Sequence, residues 1–324
     1  MLKNHFKLLL AISALALGSN VFAQQTVIGI ASIGPHPALS ATIDGFKQEL
    51  AKEGFEEGKN TKYVYGDASF TMTMLPQVLS QIEAARPALI LTLTSPVTQA
   101  ALRSVKNKHI PMVFSTVSQP VRDGIVPSWE HGSDRFTGVS GVNDKEATLA
   151  FAMKIFPNAK KFGVIYNPGD SNDIVSIEEL EAASKKLGLV MKKVGQESPT
   201  EAQQRAQTLT DVDFFYALAS NNIQSAIPAI ASVMDRYNVP ILSEESELIK
   251  KGMVAVAYGM SYETVGASAG KLAIQILKDG KKTSELAPSN PPPSEYTTHI
   301  SRKRFAQLGK RIPDSFQDCD CFVD

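Results

Sequence analysis

Apolar residues in this chain fall into two kinds of segment. Short unbroken runs, Val27 to Ile30, Ala88 to Leu93, Ile110 to Phe114, Phe162 to Tyr166 and Phe214 to Leu218, show no polar alternation, as expected of parallel strands covered on both faces. Between the runs lie stripes of helical period. Leu39, Ile43, Phe46 and Leu50 recur at steps of four, three and four residues and so share one helix face. Leu75, Val78, Leu79 and Ile82 form a second such face; Ile174, Ile177, Leu180 and Leu187 a third; Val265, Ala269, Leu272 and Ile276 a fourth. Gly54, Arg86-Pro87, Pro157-Asn158 and Gly188 stop individual elements. Ser95 before Pro96 reads as a helix start, a capping hydroxyl followed by a proline whose missing N–H costs nothing in the first turn. Pro228 falls in a helix over residues 223–237, in its first turn or as a kink.

The order of elements repeats. Val27-Ile28-Gly29-Ile30 answers Phe162-Gly163-Val164-Ile165, and Ile110-Pro111-Met112-Val113 answers Val239-Pro240-Ile241-Leu242; 82 positions separate Gly29 from Pro111 and 77 separate Gly163 from Pro240. A β-α-β-α-β-α-β unit therefore occurs twice, which predicts an α/β protein of two doubly wound parallel-sheet lobes. Gly138 to Gly141 reads as the crossing between them, Gly259 to Tyr262 as a crossing back, and Pro288 to Pro293 as an extended connector in the hinge. The expected division is residues 24–141 with 262–290 in the first lobe, 142–261 with 291–313 in the second, and 314–324 as a tail.

The first 23 residues stand apart. Lys3, His5 and Lys7, an apolar stretch from Leu8 to Leu17 and the small-residue pattern Val21-Phe22-Ala23 fit a cleaved secretory leader; the stretch is too short for a membrane anchor. Cleavage after Ala23 and a periplasmic location are expected. Lysine plus arginine equals aspartate plus glutamate at 33 each, so no basic field points to nucleic acid or an anionic membrane. The two cysteines, Cys319 and Cys321, are separated by one residue; an exposed tail is expected there and an intrachain bridge is not.

Enzyme signatures are missing: there is no G-x-x-x-x-G-K-[ST] and no H-E-x-x-H, and the one G-x-S-x-G match, Gly266 to Gly270, falls inside the helical stripe from Val265 to Ile276 and so forms no nucleophile elbow. Pro35 removes a backbone donor that a dinucleotide pyrophosphate would need in the loop after the first strand. Neither cofactor nor metal is expected. What recurs instead is a set of polar residues at strand carboxyl ends, where open α/β sheets bind ligands. In the first half these are Ser32, His36, Asp67, Thr94, Ser95, Ser115 and Thr116; in the second, Asn167, Asp170, Ser171, Asn221, Asn222, Glu244 and Glu245. Singly each is a helix cap or turn residue; together they outline two lips of one cleft. Helix N-termini near Ser95, Ser171 or Asn222 suit a carboxylate, and Asp170, Glu244 or Glu245 an ammonium. Tyr166, Tyr258 and Phe70 either stack on a flat solute or belong to the core.

These residues also resemble a known family. His36-Pro37-Ala38-Leu39 with Gly45-Phe46, the segment Gly54 to Asn60, Pro87-Ala88-Leu89-Ile90, Phe156-Pro157-Asn158-Ala159-Lys160, Tyr166-Asn167-Pro168-Gly169 and Glu244-Glu245 with Lys251-Gly252 resemble ABC-transporter substrate-binding proteins of the type I periplasmic-binding fold, in the branch with tryptophan- and tyrosine-binding members. The resemblance implies capture of a small solute, often a hydrophobic or aromatic amino acid, between hinged lobes, and delivery to an inner-membrane permease by a monomer. The alternative is a sensor that presents its closed form to a signalling receptor. Ser220 to Asn222 and Gly259 to Tyr262 lack the acidic residue that the family often carries in each, which leaves Glu244 or Glu245 to meet an ammonium.

Overall fold

The structure, a computed structural model, describes residues 25–323; the expected leader lies outside the described residues. The first half runs β1 (Thr26–Ser32), α1 (Pro37–Lys52), β2 (Thr61–Asp67), α2 (Leu75–Ala84), β3 (Leu89–Leu93), α3 (Ser95–Ser104), β4 (Met112–Ser115) and β5 (Phe136–Val139). The second runs α4 (Lys145–Ile155), β6 (Lys161–Tyr166), α5 (Ser171–Leu187), β7 (Val190–Gly195), α6 (Ala202–Gln207), β8 (Phe214–Ala217), α7 (Asn221–Arg236), β9 (Ile241–Ser243), α8 (Glu247–Lys250) and β10 (Val256–Gly259). The chain closes with α9 (Tyr262–Leu277), β11 (Thr297–Ile300) and α10 (Arg302–Gln307).

Two sheets result, ordered β2-β1-β3-β4-β5 and β11-β10-β9-β8-β6-β7. All neighbours are parallel except β10 with β11. Setting β11 aside, the second order repeats the first strand for strand. The central strands show why the runs lack alternation: every residue of β3 is buried. Gly29 and Gly163, matched in the sequence repeat, take the same part in both sheets. A Cβ on Gly29 would stand 2.4 Å from an Ile82 methyl of α2, and one on Gly163 would stand 3.2 Å from Leu209 just after α6. Each glycine lets a crossover helix lie close on its strand.

Phe136–Val139 is a fifth strand, so the first crossing begins later than the sequence pattern placed it. Gly138 pairs with Phe114 in the ladder and must be glycine there, since a Cβ would stand 2.2 Å from the Phe114 carbonyl oxygen. Three crossings then run side by side and are bonded to one another. Ser289 bonds Gly138 and Ser140 through its backbone, and the Asn290 side chain accepts from the N–H groups of Gly141 and Val142 at 3.0 and 3.1 Å. Asn143 Oδ1 accepts from Met260 N–H at 2.8 Å, and the Tyr296 hydroxyl accepts from Asp144 N–H at 2.7 Å.

After the second crossing α9 packs on α1, returning the chain to the first sheet. The two helices approach at glycines. A Cβ on Gly266 would lie 1.9 Å from the Thr42 carbonyl oxygen, and one on Gly45 would lie 2.0 Å from that of Glu263. Backbone cannot yield as a side chain can, so Gly266→Ala is expected to lower stability by about 1–3 kcal/mol, measured by urea unfolding, whereas exposed Gly280→Ala tests only its positive φ of 69°.

Of the two readings of Pro228 the first-turn one falls away, since the residue sits inside α7. Three expectations need correction. Ser95 does not cap α3: Thr94 holds the N-cap position without a side-chain bond, and the Ser95 hydroxyl accepts from Ser118 N–H at 3.3 Å. The C-terminal tail is not free. Ile300 and the segment around Cys321 and Val323 exchange backbone bonds of 2.8 and 3.1 Å, and the Phe316 ring meets Phe151 edge-on. Cys319 and Cys321 form a disulfide, because the turn at Asp320 sets their Cα atoms 5.2 Å apart, within the span a disulfide bridges. The tail thereby covers part of the outer edge of β11, an edge that would otherwise invite pairing.

Candidate functional site

The carboxyl ends of both sheets open onto one cavity of about 320 Å³, a volume within the roughly 300–1,000 Å³ of small-molecule sites. Loops after β1, β2, β3 and β4 build its first wall; loops after β6, β8 and β9, with the start of α4, build its second. Gly141, Val142 and Asn143 of the first crossing close one end, and Tyr262 at the start of α9 lines it as well.

The first wall is apolar and hydroxyl-bearing: Ile33, Leu39, Phe70 and Met72, then Thr94, Ser95, Thr116 and Ser118. Three of these residues hold left-handed backbone, Phe70 at φ 61°, Thr94 at 79° and Thr116 at 56°. Such non-glycine positions cost of order 1–3 kcal/mol each and collect at functional sites. Phe70 is 52% exposed, and its ring covers Gly34, where a Cβ would be 2.8 Å from it. The Thr94 hydroxyl oxygen is buried without a protein partner. His36 caps α1, its Nδ1 accepting from Ala38 N–H at 3.2 Å, so the neutral ring carries its proton on Nε2. Burial, with the Lys251 charge adding to it, holds this imidazole below its usual pKa.

The second wall is acidic. Glu244 is saturated by protein: Oε1 accepts from Lys145 Nζ and from the Tyr216 hydroxyl, each at 2.5 Å, and Oε2 from Ala219 N–H at 3.2 Å. Glu245, half-buried, accepts from the Tyr262 hydroxyl at 3.2 Å. Burial pushes its carboxyl up to about 7, with the Tyr262 bond opposing and the charge of Glu244 adding to the rise. Burial and the same glutamate push the Tyr262 hydroxyl well above the phenol range, so it stays a donor. Asp173, only 2% exposed, accepts through Oδ2 from Asn167 N–H at 2.7 Å and from the Ser220 hydroxyl at 3.3 Å. Its burial outweighs these bonds and raises its carboxyl to about 6.

Of the residues singled out from sequence, His36, Phe70, Thr94, Ser95, Thr116, Asp170, Glu244 and Glu245 line the cavity. The others do not. Ser32 is buried and its hydroxyl bonds the Gly34 backbone, Asp67 bonds Ser69, and Ser115 is buried at the end of β4. Asn167 folds back on Gly169 N–H, and the Asn222 amide is engaged by Gln196. Ser171 begins α5 and Asn221 begins α7 outside the wall; the side chain of Asn221 lies outside the described atoms. Tyr258 stacks on Phe151 at 4.0 Å between centroids, a core role, and Tyr166 packs against the second core. Lys145, Asp173, Asn143 and Tyr262 line the cavity without having been singled out. Among the described residues no cluster of metal-ligating side chains occurs.

Two parallel sheets facing one polar cavity, joined by three bonded crossings, define a two-lobed solute-binding protein. The chain belongs to the ABC transporter substrate-binding protein family, whose family model matches residues 27–317. Members of that family are binding proteins, not enzymes, and work outside the cytoplasmic membrane. A tyrosine-binding protein of Clostridioides difficile (strain R20291) is 30% identical over 264 residues, 81% of this chain and 75% of that protein. The ligand-free, open structure of a substrate-binding protein with adhesive properties from Clostridium difficile superposes with a TM-score of 0.78 at 26% identity, covering 92% of this chain and 99% of that one. An ABC domain from Streptococcus pneumonia in complex with L-Trp gives 0.80 at 21% identity over 93% of this chain and all of that one, a likeness of fold.

Proposed function

We propose that this protein captures an amine-bearing solute of the amino-acid class, with a flat or apolar body, and hands it to a membrane permease. The observation that carries the reading is the contrast between the walls: on one, Asp170, Asp173 and Glu245 with no salt bridge among the described residues, on the other, hydroxyls and an exposed ring. Glu245 and Asp173 meet the amine. Phe70 and Met72 cover the body, and the hydroxyls of Thr94, Ser95, Thr116 and Ser118 take the polar group at its other end. The names of the tyrosine-binding relative and the L-Trp complex support the same class.

A solute touching both walls loses water and gains its full set of bonds only when they close, so it shifts the population toward closure by its differential affinity. The permease then reads the closed outline. In this reading the lobes are residues 24–141 with 262–290 and 142–261 with 291–313, the tail riding on the second. The chain acts as a monomer in the periplasm after cleavage at Ala23.

Thermal unfolding against the twenty amino acids tests it. A true ligand at about 100 times its dissociation constant adds roughly 2.7 kcal/mol and raises the midpoint clearly. No shift across the whole panel and its amine derivatives would sink the proposal.

A further inference from the structure

We infer that the ligand carries a net positive charge when bound: an amine whose carboxyl group is absent or masked as an amide or ester. The inference rests on the binding role proposed above and concerns the ligand's charge. Asp170, Asp173, Glu244 and Glu245 line the cavity, and Lys145 is the one lysine or arginine among the described lining residues. Lys145 is committed to Glu244, and both side chains are almost wholly buried in that pair. His36, its pKa lowered and its Nδ1 used on α1, adds no charge near neutrality.

Three carboxylates therefore face the cavity without a salt bridge among the described residues. Asp170 spends one oxygen on Asn172 N–H, Asp173 uses Oδ2 only, and Glu245 uses Oε1 only. Opposing them are the charge of Lys251, which lies outside the lining but acts on His36 and Glu245, and helix N-termini. Those of α3, α7 and α9 at the cavity have no side-chain cap and, with the His36-capped start of α1, present only partial positive charge, which offsets part of the acidic excess. An ammonium joined to a free carboxylate is neutral overall and leaves the remainder uncompensated. A ligand with the ammonium alone reduces it, and its neutral polar end still suits the hydroxyls of Thr94 and Thr116. Burial raises the carboxyls of Asp173 and Glu245, and a cation bound beside them would lower both.

Isothermal titration calorimetry of the purified protein at pH 7.5 and low salt decides the matter, using matched pairs: tyrosine against tyramine and tryptophan against tryptamine. The amine is expected to bind at least tenfold tighter than its amino acid in at least one pair. An amino acid that binds as tightly as its amine in both pairs overturns the inference and leaves the proposed function standing; silence from all four compounds, together with the amino-acid panel, overturns both. In Glu245→Gln the amine preference should shrink at least threefold. A preference undiminished both there and in Asp173→Asn would overturn its assignment to these carboxylates.

Discussion

Lys145→Ala is expected to cost about 3–5 kcal/mol of folding stability, the loss typical when one partner of a buried ion pair is removed. The Lys145 and Glu244 side chains are 4% and 1% exposed, so the surviving carboxylate would be left in a largely buried place without its ammonium. The Tyr216 hydroxyl and Ala219 N–H still donate to it, but neither carries a full charge. Urea unfolding should show a sharply lowered midpoint. Lys145→Met combined with Glu244→Gln keeps an acceptor for Tyr216 and Ala219 while removing both charges, and should recover about half of the loss or more. A double variant no more stable than Lys145→Ala would show that the charge pair is not what matters there. Glu244 is thus a structural residue of the wall that fixes the loop after β9, and its neighbour Glu245 is what that loop presents.

Affinity for an amine ligand is expected to rise with pH by up to about tenfold per unit as pH climbs toward 7, and to level off above about 8. Glu245 in the empty protein titrates at about 7, so below that pH an incoming ammonium must displace a proton. Glu244 and Glu247 raise its pKa, whereas Tyr262 and Lys251 lower it, and the bound amine acts in the second sense. Proton release follows, and calorimetry at pH 6.5 in two buffers of different ionisation enthalpy measures it. Equal heats in both buffers would exclude the coupling. The same group acts on stability with the opposite sense. Its folded value of about 7 lies above the ordinary 4.5, so the native state keeps a proton that the unfolded chain has lost. The stability it contributes is full below about 4.5 and is lost as pH rises through 7. Glu245→Gln should therefore stabilise the empty protein more at pH 8 than at pH 5, and flatten the affinity profile.

The two sheets and their loops were legible because a short apolar run without alternation, bounded by turn residues, fits a strand covered on both faces and little else, and because the pattern occurs twice. Which loop residues face inward was not. Glu244 and Glu245 are adjacent and chemically alike, and only the geometry after β9 turns one into the Lys145 pair and the other toward Tyr262. Lys145 reads in sequence as an ordinary cation in a first helical turn; its burial comes from the fold. Asp170 and Asp173 both fit the start of α5, and the capping bond to Asn172 identifies the first without predicting that the second is buried. Ser32, Asp67 and Asn167 sit where ligand groups would sit but satisfy their own loops. β5 was hidden because a four-residue strand ending in Gly138-Val139 looks like a connector until its neighbour β4 is in place.

The stitching of the crossings by Asn290, Asn143 and Tyr296 sets how distance changes across the cleft. In the closure proposed above it acts as the spine of a book: rotation about it would move each atom in proportion to its distance from the binding. Atoms of a guest lying beside Val142 and Asn143 keep nearly constant neighbours as the covers swing, while those further out gain or lose theirs. Selectivity enforced near the spine thus holds in every posture, and selectivity enforced away from it operates only when the covers are shut.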